Sequence, residues 1–202
     1  MSKVALFLNG QAPKTLPDLS QFDLVYCTDG AYEYLVKFNI QPDVVTGDFD
    51  SLDSNSIPSD IEVIETPDQN FTDFEKALQI LYAREHELVY VYGSSGMEHD
   101  HFLGNLTAGL KFKERLTILF FDDYSCYFFA DKQTKLEGYK NRIISLYPFP
   151  ETKGITTKGL KYSLNQEDLQ LDNRIGTRNL GMKDLIEIDF EGGNLLIFIK
   201  NE

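Results

Sequence analysis

The feature that most limits how this chain can fold is a change of hydrophobic period part-way along it. Over roughly the first 120 residues, short apolar runs of strand character alternate with longer stretches of helical period. The runs are Val4 to Leu8, Leu24 to Thr28, Asp43 to Thr46, Ile61 to Glu65, Leu88 to Tyr92 and Leu116 to Phe121. Between them Ala31 to Phe38, Thr72 to Glu85 and His101 to Lys113 read as helices, and Thr72-Phe-Asp-Glu75 fits a capping box opening the second. Strands alternating with helices argue for parallel βαβ units. From about Tyr124 the pattern becomes one of short strands and turns. The strands expected there are Tyr124 to Ala130, Arg142 to Tyr147, Gly154 to Thr157, Leu160 to Leu164, Asp184 to Phe190 and Asn194 to Ile199. Gly138, Gly154, Gly159 and Gly176 fit turns, and Glu191-Gly-Gly-Asn194 reads as a hairpin. The chain therefore divides into an α/β domain over residues 1–122 and an all-β sandwich or barrel over residues 123–202.

Composition narrows the partners. The formal net charge is −13, so neither a nucleic-acid backbone nor an anionic membrane finds a broad basic surface. An acidic protein still binds a nucleotide when divalent cations stand between carboxylates and phosphates. No apolar run approaches the length needed to cross a bilayer. The N-terminal Val4 to Leu8 run reads as a first strand and not as a signal peptide. Cys27 and Cys126 lie far apart in apolar runs; they read as small buried hydrophobes, and the expected compartment is the cytoplasm.

Polar clusters follow four of the expected strands, where ligands bind in an open α/β sheet. Asp29, in Thr28-Asp29-Gly30-Ala31, can bond a ribose or order a metal's waters, or simply cap the next helix. Asp48 and Asp50, in Thr46-Gly47-Asp48-Phe49-Asp50-Ser51, can reach one magnesium ion from a tight turn. The plainer reading is an Asx-turn with solvated aspartates. Thr72 and Asp73 stand at a helix start, which attracts phosphate. Asp73 and Lys76 share a helix face, one suited to metal and the other to a phosphate oxygen; the alternative is a cap and a surface ion pair. Gly93-Ser94-Ser95-Gly96 can cradle phosphate or adenine through backbone N–H groups, but it lacks the ending of a Walker A loop. His99-Asp100-His101 lacks the spacing of a zinc site. Each cluster is modest, but together they form an Asp-rich, Arg-poor edge suited to metal-bridged polyphosphate chemistry.

In order and spacing these residues resemble the thiamine pyrophosphokinase family. The shared set runs from Asp29-Gly30-Ala31 through Gly47-Asp48-Phe49-Asp50-Ser51 and Thr66-Pro67-Asp68-Gln69 to Thr72-Asp73 with Lys76-Ala77-Leu78. It continues with Gly93-x-x-Gly96, Asp100-His101 and Asn105, then Gly154 to Lys161, Gly176-Thr177-x-Asn179 and Gly193-x-Leu195-Leu196. The resemblance implies a Rossmann-like, mostly parallel α/β domain and a C-terminal antiparallel β-sandwich. It implies a homodimer with active sites at the subunit interface, and transfer of pyrophosphate from ATP to the hydroxyl of thiamine. Asp48, Asp50 and Asp73 match the family's acidic Mg²⁺-phosphate site. Asp29, Thr72, Lys76, Gly93, Ser94, His101 and Asn105 match the ATP side, and Asp100 a further acidic position. Gln69, Thr177, Arg178 and Asn179 match the thiamine side. Either Asp73 or Asp100 is then the acceptor of the hydroxyl proton.

Three positions depart from the family's pattern. Met97-Glu98-His99 stands where a basic residue is usual, a cation that Lys76 can replace. Arg178 replaces a serine, and Tyr162 a tryptophan. The alternatives are a nucleotide-sugar glycosyltransferase using Asp48-x-Asp50, a non-catalytic thiamine or nucleotide sensor, and a plain oligomerisation domain.

Overall fold

The computed structural model describes residues 2–50 and 52–202. Met1 lies outside them, as does Ser51, the last residue of the Gly47 to Ser51 motif. The chain forms two compact units, Met1–Asp123 and Tyr124–Glu202. Among the described residues no helix is long and apolar enough to cross a membrane.

Among the described residues, the first unit is built on six parallel strands: β1 (Lys3–Phe7), β2 (Leu24–Thr28), β3 (Val44–Gly47), β4 (Glu62–Glu65), β5 (Leu88–Tyr92) and β6 (Thr117–Phe121). Their order is β4-β3-β2-β1-β5-β6. The chain winds outward from β1 to β4, then returns to place β5 on the other side of β1. The order thus reverses between β1 and β5, which opens a crevice at their carboxyl ends. Helices α1 (Asp29–Lys37), α2 (Asp73–Ala83) and α3 (His99–Phe112) make the crossovers from β2 to β3, β4 to β5 and β5 to β6. Strand side chains alternate between faces. Ala5, Phe7, Val25, Cys27 and Val45 cluster with Ala31 and Leu35 of α1. Helix α2 takes the opposite face: its Phe74 meets Phe120 edge-on, while Phe121, of the other parity, packs toward the α1 side.

The helix starts differ from the sequence reading in detail. Thr72 caps α2, its Oγ1 accepting from the Glu75 N–H at 3.2 Å. The reciprocal half of the capping box is not made, because the Glu75 carboxylate accepts from Lys111 Nζ on α3 at 2.9 and 3.0 Å. Thr28, and not Asp29, occupies the cap position of α1. Cys27 is fully buried and Cys126 half-buried, and among the described residues neither forms a disulfide.

The second unit is antiparallel throughout its described strands, which are β7 (Ser125–Phe129), β8 (Gln133–Glu137), β9 (Ile143–Lys158), β10 (Glu167–Gln170), β11 (Gly176–Leu180), β12 (Leu185–Asp189) and β13 (Gly192–Lys200). The long β9 belongs to both layers of a sandwich. Its first part pairs with β13 and β11, and its end pairs with β12, which pairs in turn with β8. Ile144, Leu146 and Ile155 of β9 meet Leu136, Leu169, Ile186, Ile188, Leu195 and Ile197 in one buried cluster.

Three expectations for this unit are corrected. The segments Arg142 to Tyr147 and Gly154 to Thr157 are one continuous strand, running through Pro148 and the cis peptide before Pro150. Leu160 to Leu164 is not a strand; Leu160 pairs with Gly181 in an isolated bridge, and Leu164 hydrogen-bonds Thr157 of β9. Glu191 to Asn194 is not a hairpin, because β12 and β13 each pair with β9 and not with one another. Gly193 is needed there for another reason. It has φ +77°, and a Cβ would stand 2.1 Å from the Glu151 carbonyl oxygen.

Candidate active site

The carboxyl ends of β1, β2, β3 and β5, with the first turns of α2 and α3, line a cavity of about 470 Å³. It lies in the first unit, at the reversal of strand order. Of the residues singled out in the sequence, Asp48, Gln69, Thr72, Asp73, Lys76, Ser94, Asp100, His101 and Asn105 line it. Asp29, Asp50 and Gly93 do not. Thr177, Arg178 and Asn179 belong to the second unit.

Asp48 follows β3 in a turn set by Phe49, whose φ is +57°. One Asp48 oxygen accepts from the Asp50 N–H at 3.2 Å and the other from Gln69 Nε2 at 2.9 Å. The Gln69 bond, helped by the Asp50 N–H, holds its carboxyl below the usual range. The same turn sends the Asp50 side chain out to solvent. Asp73 opens α2, and its Oδ1 meets Lys76 Nζ at 2.8 Å. Lys76 is 5% exposed, and its ammonium also donates to the Thr66 carbonyl at 2.8 Å.

Asp29 acts from behind the cavity. It is 8% exposed, and its two oxygens accept from the Gly30 N–H at 2.7 Å and the Phe49 N–H at 2.9 Å. It thus ties the start of α1 to the turn that presents Asp48. Gly47 leaves it room, since a Cβ there would stand 2.3 Å from Asp29 Cγ. Burial pushes the Asp29 carboxyl above the usual range against those two N–H bonds, and the charges of Asp73 and Asp48 add to the rise. A carboxyl whose folded pKa is raised favours folding most when protonated. Its stabilisation is therefore full below the unfolded value and is lost as pH rises through the folded one. In urea melts from about pH 3 to 7, the stability of wild type minus that of Asp29→Asn should fall with rising pH. A difference that rises with pH contradicts this environment for Asp29.

On the α3 side, His99 and Asp100 lie in the first helical turn, and Asp100 Oδ1 accepts from the His101 N–H at 3.0 Å. His101 Nδ1 is 3.5 Å from a Glu98 carboxylate oxygen. Asn105 donates to the Ser94 carbonyl at 2.9 Å and so fixes the loop after β5. The segment after β1 was missed by sequence reasoning because it carries no carboxylate. Gly10 donates to the Gly93 carbonyl at 2.8 Å, and a Cβ on Gly10 would meet that oxygen at 2.2 Å. Applying the strand-end rule to β1 as well would have flagged Asn9-Gly10. Phe71 and Met97, both exposed, add apolar lining that no polar motif could reveal.

Among the described residues, no three His, Cys, Asp or Glu side chains stand close enough to hold a metal ion by themselves. Asp48 and Asp73 share the cavity, whereas Asp50 does not. Magnesium usually takes one or two protein carboxylates and completes its shell with phosphate oxygens and water. The Asp48 and Asp73 pair fits that donor set.

In the second unit, Arg178 has φ +57°, and its N–H donates to Ser145 Oγ at 3.0 Å. Asn179 is buried, and its amide is satisfied within the chain. Its Oδ1 accepts from the Tyr162 N–H at 3.0 Å, and its Nδ2 donates to the Tyr162 carbonyl at 2.8 Å. It holds in place the backbone of Tyr162, whose side chain stands exposed.

Comparison with known proteins agrees with this architecture. Residues 18–120 match the family described as thiamin pyrophosphokinase, catalytic domain. Residues 132–195 match the family described as thiamin pyrophosphokinase, vitamin B1 binding domain. Thiamin pyrophosphokinase 1 of Caenorhabditis elegans is 26% identical over 168 residues, covering 75% of this chain and 69% of that protein. Thiamine pyrophosphokinase 1 of Oryza sativa subsp. japonica is 27% identical over 171 residues, covering 76% and 64%. The solved structure of thiamine pyrophosphokinase from Bacillus subtilis superposes with a TM-score of 0.83 at 23% identity, over 99% of this chain and 100% of that one. Yeast thiamin pyrophosphokinase gives 0.83 at 16% identity, over 98% and 86%. At such identities the superpositions speak for the fold. The glycosyltransferase, sensor and oligomerisation readings find no support in these likenesses.

Proposed function

The chain belongs to the thiamin pyrophosphokinase family, and from that premise we propose that it transfers the terminal pyrophosphate of ATP to the hydroxyl of thiamine, releasing AMP. The observation that carries this reading is the cavity itself. Side chains from separate loops, Asp48, Gln69, Asp73, Lys76 and Asp100, meet in one crevice at the reversal of strand order.

The reaction joins the thiamine hydroxyl oxygen to the β-phosphorus and breaks the bond from that phosphorus to the α-β bridging oxygen. Such transfers depend chiefly on positioning and charge neutralisation. Mg²⁺, held by Asp48 and Asp73, would neutralise phosphate oxygens. The chain's own contribution begins with Lys76, whose ammonium is already fixed by Asp73 and the Thr66 carbonyl. It supplies a cation that Met97-Glu98-His99 does not. Gln69 donates to Asp48 through Nε2, and its Oε1, without a partner among the described residues, would accept from thiamine. Asp73 Oδ1 is engaged by Lys76, while the described partner of Asp100 is the His101 N–H. With Asp73 also assigned to Mg²⁺, Asp100 is the acceptor we favour for the hydroxyl proton.

On the thiamine side, Asn179 acts through Tyr162, and Thr177 and Arg178 are exposed to meet ligand. In the homodimer these residues complete the site of the partner. The exposed Tyr162, Met182 and Leu185 of the second unit support association of subunits.

One assay tests the reading. Protein, thiamine, ATP and Mg²⁺ should yield AMP and thiamine diphosphate in equal amounts. A nucleoside diphosphate in place of AMP, or binding of thiamine without product, overturns it.

A further inference from the structure

Three threonine hydroxyls at the carboxyl edge of the parallel sheet, those of Thr28, Thr46 and Thr66, have no hydrogen-bond partner among the described residues. Thr28 and Thr46 are paired across β2 and β3, so their side chains leave the same face of the sheet. That face is the one α2 covers, because Val25, Cys27 and Val45, of opposite parity, pack with α1. Burying a hydroxyl without a partner is unfavourable. Valine has nearly the same shape and would avoid the penalty, so a threonine in this setting calls for an explanation.

Of the three, Thr28 alone lines the cavity, and it is 3% exposed. Resting on the function proposed above, we propose that Thr28 Oγ1 is a nucleotide-binding group that donates its hydroxyl hydrogen to a non-bridging oxygen of the phosphate chain. The charge layout selects that ligand atom. The face that Thr28 shares with α2 carries the positive elements of the cavity, namely the Lys76 ammonium and the N-terminal turn of α2, where peptide dipoles favour anions. A phosphate drawn to them comes to the side of the sheet from which the Thr28 hydroxyl projects. The hydroxyl adds a donor without adding a charge beside Asp48 and Asp73. Thr46 serves as an internal control, being 1% exposed, equally unpartnered and absent from the cavity wall.

The test is titration calorimetry of α,β-methylene-ATP with magnesium and no thiamine, an analogue whose α-β linkage cannot be cleaved. Thr28→Val should bind about 10-fold more weakly than wild type, the loss of one hydrogen bond to a charged group. Thr28→Ser, which keeps the hydroxyl, should stay within about 3-fold, and Thr46→Val should match wild type. The free Thr28→Val and Thr46→Val proteins should melt no lower than wild type, since each sheds an unsatisfied hydroxyl. Thr28→Ala makes the same comparison if Thr28→Val does not give folded protein. Equal binding by wild type and Thr28→Val overturns this proposal alone, as does Thr28→Ser binding as weakly as Thr28→Val. A wild-type protein that binds no analogue overturns the pyrophosphokinase reading as well.

Discussion

Replacing Asp73 by Asn is expected to slow formation of thiamine diphosphate by at least about 100-fold, the scale seen when one positioned charge-stabilising group is removed from a transition state. Asparagine keeps the size of the side chain and removes only its charge, so the loss falls on chemistry more than on folding. Asp73 lies half exposed in the first turn of α2, where asparagine is also tolerated. Lys76 loses one partner but keeps the Thr66 carbonyl at 2.8 Å. Solvent around the exposed Asp73 carboxylate weakens that ion pair, so stability should fall by only about 1 kcal/mol. The rate should recover in part as magnesium is raised, because a missing carboxylate lowers affinity for a cation shared with phosphate. Measuring kcat against magnesium, with a urea melt of the same preparation, separates the two effects. Unimpaired turnover at ordinary magnesium would remove Asp73 from the catalytic machinery.

Much of the first unit was legible in the sequence because its central strands are largely buried on both faces and so read as unbroken apolar runs. Val4 to Leu8 and Leu88 to Tyr92 are of this kind. The polar clusters were legible for a related reason. The loops after parallel strands and the helix starts that follow them have no ladder to join, and Asp48, Asp73 and Asp100 stand out there against the hydrophobic runs of the strands. The second unit was harder to read. Strand β8, Gln133–Glu137, and strand β10, Glu167–Gln170, carry few apolar residues and pair on one side only, so period alone cannot mark them. Pro148 and Pro150 argue against a central strand, yet β9 passes through both where its pairing with β13 is already irregular. The glycine pair at 192–193 suits a two-residue hairpin as well as it suits the close approach to Glu151 that forms.

Within the site, what the sequence could not show is which carboxylates face the cavity. Asp48 and Asp50 are two residues apart, and an extended chain would point them the same way. The left-handed Phe49 between them breaks that relation and leaves Asp48 alone on the cavity wall. Asp29 reads from sequence as a ligand or a cap, but Thr28 takes the cap position and Asp29 does not line the cavity. It is the buried brace of the Asp48 turn. Such roles depend on a contact between residues 20 positions apart, which no local pattern encodes.

That brace yields the second large effect. Gly47→Ala is expected to destabilise the protein by about 2–4 kcal/mol, combining overpacking with the loss of buried hydrogen bonds. Turnover should fall by about 100-fold or more, since small displacements of a positioned group are that costly. The new methyl would lie 2.3 Å from Asp29 Cγ and 2.5 and 2.6 Å from its two oxygens. A flexible surface carboxylate could move aside, but this one is 8% exposed and held by the Gly30 and Phe49 N–H groups. Moving it strands the Phe49 N–H and releases the turn that presents Asp48. Gly47 is absent from the glycines at positive φ, so the penalty comes from the clash and not from backbone strain. A double-mutant cycle isolates that cause. In an Asp29→Ala background the obstructing carboxylate is gone, and Gly47→Ala should lose most of its added effect on the urea midpoint. If it destabilises the protein equally with and without the Asp29 side chain, Asp29 is not what the methyl strikes.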